Sequence, residues 1–216
     1  MNKRISISEC VAKIKDGMSV MIGGFMGNGT PESIMDALVT SGVKNLTVIC
    51  NDTGFPDKGI GKLIVNKQIT KLIVSHIGTN PVTVDQMNAK ELEVEFSPQG
   101  TLAERVRAGG SGLGGVLTPT GLGTVVANGK QTLEIDGKTY LLEKPLRADV
   151  ALLGANIGDK SGNLIFKGTS QNFNPIMATA ADLVIAEIEK EVETGELTPE
   201  TIHIPGIFVD YYCLKL

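Results

Sequence analysis

Residues that build disulfides and metal sites are scarce in this chain. It has three cysteines that lie far apart (Cys10, Cys50 and Cys213) and two histidines (His76 and His203). Neither set has the spacing of a disulfide framework or of a zinc knuckle. We therefore expect a reduced protein with no metal site, in which Cys10 and Cys50 are small buried apolar residues.

Long apolar runs and blocks of positive charge are also missing. No run approaches the ~20 apolar residues that span a bilayer, and residues 1–20 contain no apolar core of signal-peptide length. The net charge is −4, and the basic residues form no patch interleaved with aromatic residues. We expect a cytoplasmic protein that has neither a membrane nor a nucleic acid as its partner.

Glycine, by contrast, is abundant: 26 of the 216 residues, about 12% against a usual ~7%. Four of these glycines lie in SVMIGGFMGNGTPESIMDAL, residues 19–38. Here a short strand, Ser19–Ile22, enters a glycine loop that leads into a segment with helical spacing. We predict that Thr30 caps this helix and that Pro31 is its first residue.

A glycine loop between a strand and a helix can bind an anion. Glycine allows a ligand close to the backbone, and the helix N-terminus offers unpaired N–H groups. The loop is neither a Walker loop nor a dinucleotide fingerprint, because Gly24, Gly27 and Gly29 are misplaced for the latter. Glu32 already compensates the helix dipole. The spacing alone leaves both a ligand-binding loop and a plain tight turn open.

Apolar runs with strand character alternate with helical segments along the chain. Strands are predicted at Ser19–Ile22, Leu46–Cys50, Lys71–Ser75, Glu91–Phe96, Asp149–Leu153, Leu164–Phe166 and Leu183–Ile188. Helices are predicted at Val11–Ile14, Pro31–Thr40, Leu63–Val65, Thr101–Ala108 and Asn174–Ala181. This alternation predicts an α/β fold with a mostly parallel sheet flanked by helices, within a single domain of residues 1–216.

The middle of the chain differs in character. Asp136-Gly137, between two apolar runs, predicts a type I′ hairpin, which we interpret as a small insertion. Gly109 and Gly110 should end the preceding helix, and residues 111–126 are too rich in glycine for a regular element. The apolar tail, residues 202–213, is either an edge strand over the chain's own core or part of an interface.

Several polar residues have a structural and a functional interpretation. His76 ends an apolar strand and is expected to be a hydrogen-bonded structural histidine. Arg105 and Arg107 lie near a helix C-terminus, where cations favour the dipole, and nucleotide binding is the alternative. Asn51 and Asp52 follow a strand, where α/β sheets place ligands, but an Asx turn explains them equally well.

Six short blocks carry a more specific signal. They are DGMSVMIGGF (16–25) with Gly29 and Pro31, NDT (51–53), SHIGTN (75–80), PQGTLAER (98–105), LTPTG (117–121) and QNFNP (171–175). In this order they resemble the α-type chain of the family I coenzyme A transferases, from near residue 16 to about residue 206. Within the family, the resemblance is to the α subunits of bacterial acetate/acetoacetate and butyrate–acetoacetate CoA-transferases. Relatives often carry arginine where this chain has Gln171, which removes any charge role there.

The resemblance implies transfer of CoA from an acyl-CoA to a free carboxylate through a glutamate nucleophile, with ping-pong kinetics. In two-chain members that glutamate lies in the other subunit, in a Ser-Glu-Asn-Gly segment that this chain lacks. The chain would then supply half of a composite active site in an α2β2 assembly with a homologous β subunit. CoA would be a substrate, and no tightly bound cofactor is expected. Glu95 and Glu104 are expected on a strand face and a helix surface.

The resemblance also assigns site residues. CoA would contact the loop residues Gly24, Phe25, Met26, Gly27, Asn28, Gly29 and Thr30. Gln99, which composition alone would make a turn residue, matches the family glutamine whose amide helps to form the oxyanion hole. A neutral amide can donate there without a charge that would bind the carboxylate ground state too tightly.

Two other functions remain as alternatives. The same architecture resembles sugar-phosphate isomerases, with the loop holding a phosphate, although no acid–base pair is apparent. A non-catalytic acyl-CoA-binding regulatory protein is the other alternative.

For a transferase, the length of the preferred acyl group stays open, because one methylene changes binding by only about 1–3 kcal/mol. Residues 109–124 and 207–212 are the candidate interface segments.

Overall fold

A computed structural model describes residues 3–216 of the chain. Its strands are β1 Ser19–Ile22, β2 Leu46–Asp52, β3 Ile69–His76, β4 Glu93–Phe96, β5 Val116–Thr118, β6 Thr132–Ile135, β7 Lys138–Glu143, β8 Ala148–Asp159, β9 Leu164–Ile165, β10 Ala181–Val192 and β11 Tyr211–Leu214. Its α-helices are α1 Ile7–Ala12, α2 Glu32–Ser41, α3 Ile60–Val65, α4 Pro81–Asn88, α5 Gln99–Gly110 and α6 Asn174–Met177. The predicted alternation of strands and helices is confirmed.

A large parallel sheet forms the centre of the molecule. Its strand order is β11-β10-β8-β1-β2-β3-β4, and every neighbouring pair in this path is parallel. The short β9 adds an antiparallel pairing, to β8. The prediction of a mostly parallel sheet flanked by helices is therefore confirmed.

Both faces of this sheet are buried. Val20 and Ile22 of β1 point into an apolar layer formed with α1 to α4, whereas Met21 points into a second layer with α5 and α6. Successive side chains of a strand alternate between faces, so a strand covered on both sides becomes continuously apolar. This is why Val20, Met21 and Ile22 appear in the sequence as an unbroken apolar run.

A separate small sheet, with strand order β5-β7-β6, is antiparallel. Asp136 and Gly137 have φ values of 51° and 72°, so the predicted I′-type turn between β6 and β7 is confirmed. The expectation that residues 111–126 form no regular element is wrong in part. Residues 116–118 contain no glycine and pair with β7 as β5, and Val125–Ala127 is a short 3₁₀ turn.

Glycines 109 and 110 do not end α5, contrary to the prediction, but lie within its last turn. A Cβ on Gly109 would lie 1.9 Å from the carbonyl oxygen of Leu146, and one on Gly110 would lie 2.1 Å from Oγ1 of Thr179. Close packing of α5 against other segments, and not helix termination, therefore requires these glycines.

Other boundaries also differ from the predictions. Helix α1 begins earlier than expected, at Ile7, because Ser6 and Glu9 form a capping box. Helix α6 ends at Met177, since β10 starts at Ala181. Helix α4 is absent from the predicted elements, although Asn80 at its N-cap and Pro81 at its first position are typical start signals.

The end of the apolar tail is an edge strand over the chain's own core, as in the first of the two interpretations above, whereas Ile207 and Phe208 before it are exposed. Strand β11 pairs with β10, and Tyr212 and Cys213 within it are buried. Cys10 and Cys50 are buried as predicted. Within residues 3–216, no helix has both the length and the apolar character needed to cross a membrane.

Candidate functional site

The residues singled out by the sequence meet at the carboxyl ends of the parallel strands. Strand β1 leads into the glycine loop (residues 23–30), β2 ends with Asn51 and Asp52, and Gln99 begins α5 just after β4. Parallel strands present their carboxyl ends at one edge of a sheet, where α/β proteins place their ligands. We call this edge the carboxyl edge.

The glycine loop folds back on itself in a tight turn. Phe25 and Asn28 exchange two backbone hydrogen bonds of 2.9 Å, and Met26 and Gly27 between them both have positive φ. The backbone N–H of Met26 donates to the carboxylate of Asp52, at 3.1 Å and 3.3 Å to the two oxygens. The loop after β1 is thereby tied to the end of β2.

Two asparagines of the QNFNP block, Asn172 and Asn174, hold the loop from the other side. Oδ1 of Asn172 accepts from the N–H of Gly24 (3.1 Å), and its Nδ2 donates to the carbonyl of Asn28 (3.0 Å). Nδ2 of Asn174 donates to the carbonyl of Gly29 (3.0 Å). These bonds fix the loop backbone with side chains more than 140 positions away in sequence.

Most glycines of the loop are required by protein packing. A Cβ on Gly23 would lie 1.8 Å from Oδ1 of Asn174, and one on Gly24 would lie 2.1 Å from Oγ1 of Thr30. A Cβ on Gly29 would approach the carbonyl oxygen of Ser170 to 2.6 Å. Protein packing therefore accounts for these three glycines, whereas Gly27, whose nearest such neighbour is a side-chain carbon at 4.0 Å, has open space beside it.

The N-terminus of α2 carries its own anion. Glu187 of β10 is 2% exposed, and its carboxylate accepts from the backbone N–H of Ile34 (2.9 Å) and from Ser33. Burial raises the pKa of Glu187, and these hydrogen bonds oppose the rise. The prediction that this helix N-terminus offers unpaired donors is wrong, because a buried carboxylate from a distant strand occupies it.

The helix start also differs from the prediction. Pro31 is the N-cap and makes no side-chain capping bond, and α2 begins at Glu32. Thr30 is therefore not the cap, and its side chain packs between Gly24 and Gly59. Glu32 turns away from the loop, because its carboxylate accepts from the N–H of Gly59 (3.1 Å) and from Nζ of Lys62 (2.8 Å).

Gln99 is connected to the glycine loop through side chains. Its Nε2 donates to Oδ1 of Asn51 (2.8 Å), and Nδ2 of Asn51 donates to Oδ2 of Asp52 (2.7 Å). Asp52 also accepts from the N–H of Gly54 (2.8 Å) and from that of Met26. The predicted Asx turn is thus confirmed at Asp52, and the same carboxylate connects Asn51 and Gln99 to the loop.

The carboxyl edge is also apolar and open. Phe25, Phe55 and Phe96, which follow or end β1, β2 and β4, are 41%, 37% and 40% exposed. His76 ends β3 and is exposed, with no hydrogen bond to its side chain within residues 3–216. The prediction of a hydrogen-bonded structural histidine is therefore wrong.

Arg105 has a structural role that the sequence did not indicate. It is buried, pairs with Glu95 (Nη1 to Oε1, 2.7 Å) and donates from Nε to the carbonyl of Lys144 (3.0 Å). Its Nε also lies 3.8 Å from Glu143, a buried residue of β7. The expectation that Arg105 compensates a helix dipole is wrong, because it links α5 and β4 to the small sheet.

Other charges of the region follow expectation or form simple pairs. Arg107 pairs with Glu104 at 3.1 Å on the exposed surface of α5, where Glu104 was expected. Lys130 reaches Glu143 at 2.6 Å and borders a cavity of about 710 Å³ between β4 and the small sheet. Within the described residues, no three His, Cys, Asp or Glu side chains are grouped as a metal site would require.

Comparisons with known proteins agree on one family. A family model described as Coenzyme A transferase matches residues 4–212. The alpha subunit of the acetate CoA-transferase of Escherichia coli (strain K12) is 54% identical over 209 residues, covering 97% of this chain and 95% of that relative. The acetoacetyl-CoA:acetate/butyrate CoA transferase alpha subunit of Clostridium acetobutylicum is 56% identical over 197 residues, covering 91% and 90%.

A solved structure shows the same fold. The thioester complex with CoA of an acyl-CoA transferase from E. coli O157:H7 matches with a TM-score of 0.90 at 22% identity. The match covers 99% of this chain but 47% of the other, so this chain spans about half the length of that protein.

Proposed function

The chain belongs to the coenzyme A transferase family, and on that premise we propose that it is the α subunit of a two-chain enzyme. The enzyme transfers CoA between a short-chain acyl-CoA and a free carboxylate: acetate, acetoacetate or butyrate. The observation that carries this proposal is the similarity, over more than nine-tenths of the chain, to two α subunits whose names contain these acids. The protein acts in the cytoplasm as one domain spanning residues 1–216, with a homologous β subunit in an α2β2 assembly.

The reaction begins with a glutamate of the β subunit. Its carboxylate attacks the thioester carbonyl, the carbon–sulfur bond breaks, and CoA leaves as a thiolate from an acyl–glutamyl anhydride. The thiolate then attacks the glutamyl carbonyl, which releases the first carboxylate and leaves a glutamyl-CoA thioester. The second carboxylate repeats these two steps in reverse and regenerates the glutamate.

Gln99 contributes to each tetrahedral intermediate as an oxyanion donor. Its Nε2 carries two hydrogens, of which one is bonded to Asn51, and the side chain is exposed at the carboxyl edge. The second hydrogen is available to an oxyanion formed on a substrate carbonyl. A preorganised donor of this kind stabilises the transition state by about 3–4 kcal/mol.

The glycine loop, residues 24–30, supplies the contact with CoA. Its shape is set in advance by Asn172, Asn174 and Asp52, so binding requires little ordering of the backbone. Within the loop, Phe25 and Asn28 are exposed, Met26 is half-buried, and Gly27 has open space beside it. We assign the direct contacts to these residues and the support to Gly24, Gly29 and Thr30.

The β subunit covers the carboxyl edge. Three partly exposed phenylalanines there, Phe25, Phe55 and Phe96, give the apolar surface expected of an interface core. This position brings the partner's glutamate to the side of Gln99. The candidate segments at residues 109–124 and 207–212 would then be secondary contacts.

The proposal is tested by reconstitution. The purified chain is mixed with a homologous β subunit, acetoacetyl-CoA and labelled acetate, and formation of labelled acetyl-CoA is measured. We expect transfer by the mixture and none by either chain alone. Absence of transfer with both chains folded and assembled, or robust transfer by this chain alone, would contradict the two-chain enzyme.

A sugar-phosphate isomerase is less well supported by the geometry. The α2 N-terminus, which would hold the phosphate, is occupied by the Glu187 carboxylate, and a second anion there would be repelled. The regulatory alternative is decided by the same reconstitution, because a non-catalytic CoA-binding protein would give no labelled product.

A further inference from the structure

Three side chains at the carboxyl edge form a hydrogen-bonded chain, which we call the amide relay: Asp52, Asn51 and Gln99. We propose that Asn51, itself oriented by Asp52, is a positioning residue that fixes which end of the Gln99 amide faces the substrate. The catalytic consequence rests on the proposed function, whereas the orientation of the amide does not.

The direction of the relay starts at Asp52. A carboxylate can only accept hydrogen bonds, and this one already accepts from the backbone N–H groups of Met26 and Gly54. Nδ2 of Asn51 lies 2.7 Å from Oδ2 of Asp52. Because the reversed amide would place oxygen against oxygen, Asn51 must direct its nitrogen to Asp52.

Asn51 transmits this direction to Gln99. With its nitrogen committed, Oδ1 of Asn51 faces Nε2 of Gln99 at 2.8 Å and the hydroxyl of Ser75 at 3.2 Å. Ser75 also holds the backbone carbonyl of Asn51 at 2.6 Å. Asn51 is 1% exposed, so water cannot replace its donors. Gln99 must therefore present nitrogen to Asn51, since its own oxygen would face an acceptor.

The orientation matters because Gln99 is exposed. An unrestrained glutamine would turn either its oxygen or its nitrogen toward a substrate, and the oxygen would repel a developing oxyanion. In the relay one Nε2 hydrogen is held by Asn51, and the other is directed elsewhere by the planar geometry of the amide. The donor is thus oriented before the reaction begins, which is the condition for effective oxyanion stabilisation.

A double-mutant cycle in the reconstituted α/β enzyme tests the catalytic part. Asn51→Ala and Gln99→Ala are each expected to lower kcat by about tenfold or more, with the KM for acyl-CoA within about twofold of wild type. If Asn51 acts through Gln99, adding Asn51→Ala to Gln99→Ala should cause no further loss of kcat. If Asn51→Ala lowers kcat by the same factor in the wild-type enzyme and in Gln99→Ala, the catalytic role of the amide relay is refuted.

Gln86→Ala is the matched control for loss of a buried amide. Nε2 of Gln86 donates to the carbonyl of Ile64 (2.8 Å) in the helical layer, with no bond to the relay. Like Asn51→Ala it removes a buried hydrogen bond, and it should leave kcat unchanged. If Gln86→Ala lowers kcat as much as Asn51→Ala, loss of stability and not orientation explains both variants.

A second measurement needs neither partner nor activity. In the ¹⁵N-labelled full-length chain, the side-chain amide signal of Gln99 is identified by its disappearance in Gln99→Ala. We expect a restrained ¹⁵N relaxation signature in wild type and a mobile one in Asn51→Ala. An unchanged signature would refute the positioning role, whereas absence of CoA transfer by the wild-type mixture would count against the proposed function alone.

Discussion

Gly27 differs from the other glycines of its loop in having room beside it. Its φ is +86°, and a Cβ there would meet only the Cδ of Lys58, at 4.0 Å. A Gly27→Ala substitution therefore creates backbone strain of about 1–2 kcal/mol without a clash. If CoA lies against this position, the added methyl group should also raise the KM for acyl-CoA several-fold in the reconstituted enzyme.

Gly42→Ala is the control for Gly27→Ala. Gly42 also has positive φ, +70°, with no atom within 4 Å of an added Cβ, and it lies at the C-terminal end of α2. Both variants should lose similar stability in urea unfolding, and only Gly27→Ala should change the KM. Equal KM values in the two variants would contradict CoA contact at Gly27.

At the scale of single residues, the sequence indicates which residues are important but not which contacts make them so. Asn51 and Asp52 stand out by their position after a strand and Gln99 only by the family resemblance, but the hydrogen bond between Asn51 and Gln99 joins positions 48 apart. No local pattern encodes such a contact. The glycines of the loop are likewise recognisable, although most of them are required by Asn174, Thr30 and Ser170, which approach from elsewhere in the fold or in the loop.

Among the elements, α2 depends on the buried Glu187 side chain to satisfy its N-terminal N–H groups. The pKa of Glu187 is raised by burial, so the folded state holds its proton more tightly than the unfolded state. Stability from this group is therefore fully present below the ordinary pKa near 4.5 and is lost as pH rises through the folded pKa. Glu187→Gln should remove this component and flatten the dependence of stability on pH above about pH 4.5.

Urea unfolding from pH 4.5 to pH 8 measures this effect for wild type and Glu187→Gln. Glutamine has the shape of glutamate but only one acceptor oxygen. We therefore expect Glu187→Gln to lose some stability at every pH, in addition to the change in the slope of stability against pH. Glu189→Gln is the control, since the Asn156 hydrogen bond lowers the pKa of Glu189, whose contribution to stability is therefore constant above about pH 4.5, so this variant should keep the wild-type slope. Parallel pH profiles for wild type and Glu187→Gln would show that Glu187 does not titrate as described.

The glycine loop also depends on a buried side chain from a distant part of the sequence, that of Asn174. This side chain is fully buried and bonds the carbonyls of Gly29 and Ser170 and the N–H of Gly154. Asn174→Ala leaves these buried groups without partners, at about 1–3 kcal/mol for each one that water cannot reach. We expect lower stability in urea unfolding and a raised KM for acyl-CoA, because the loop loses its fixed shape.

Thr179→Ala is a comparable change away from the loop. The Thr179 hydroxyl donates to the carbonyl of Ile176 (3.0 Å) beside Gly110. Its loss should reduce stability modestly and leave the KM unchanged. If Asn174→Ala destabilises the protein with no change in KM, the loop shape does not limit CoA binding.

Elements are predictable where one local pattern decides them. Strand β1 has the bounds that its sequence predicts, because the short apolar run Val20–Ile22 follows Ser19 and ends at Gly23. The predicted start of α2 is wrong, since the residue that satisfies its N–H groups is Glu187, 153 positions from Ile34. Element type therefore follows from sequence periodicity, whereas caps and ends depend on long-range contacts.

For the whole molecule, the fold class follows from the order of elements, but the proposed site is incomplete in one chain. The alternation of strands and helices predicts the parallel sheet, and the matched blocks other than LTPTG (117–121), which lies in and after β5 of the small sheet, meet at its carboxyl edge. What surrounds Gln99 on its open side is not encoded here, because the glutamate nucleophile of the proposed enzyme belongs to another polypeptide. The surface that this partner covers therefore has to be located by experiments on the assembled enzyme.

The position of that interface is testable with a single charge. Phe55 is 37% exposed and follows β2 at the carboxyl edge, and a buried unpaired carboxylate in an interface core is strongly unfavourable. We expect Phe55→Asp to weaken association with the β subunit by about tenfold or more, measured by sedimentation, while this chain keeps its own stability. Ile207→Asp, at a residue 87% exposed in the tail, introduces the same charge outside the surface formed by the three phenylalanines and should leave association within about twofold of wild type. If Ile207→Asp dissociates the assembly and Phe55→Asp does not, the partner lies against the tail. The β subunit then does not cover the carboxyl edge, and the proposed position of its glutamate beside Gln99 is wrong.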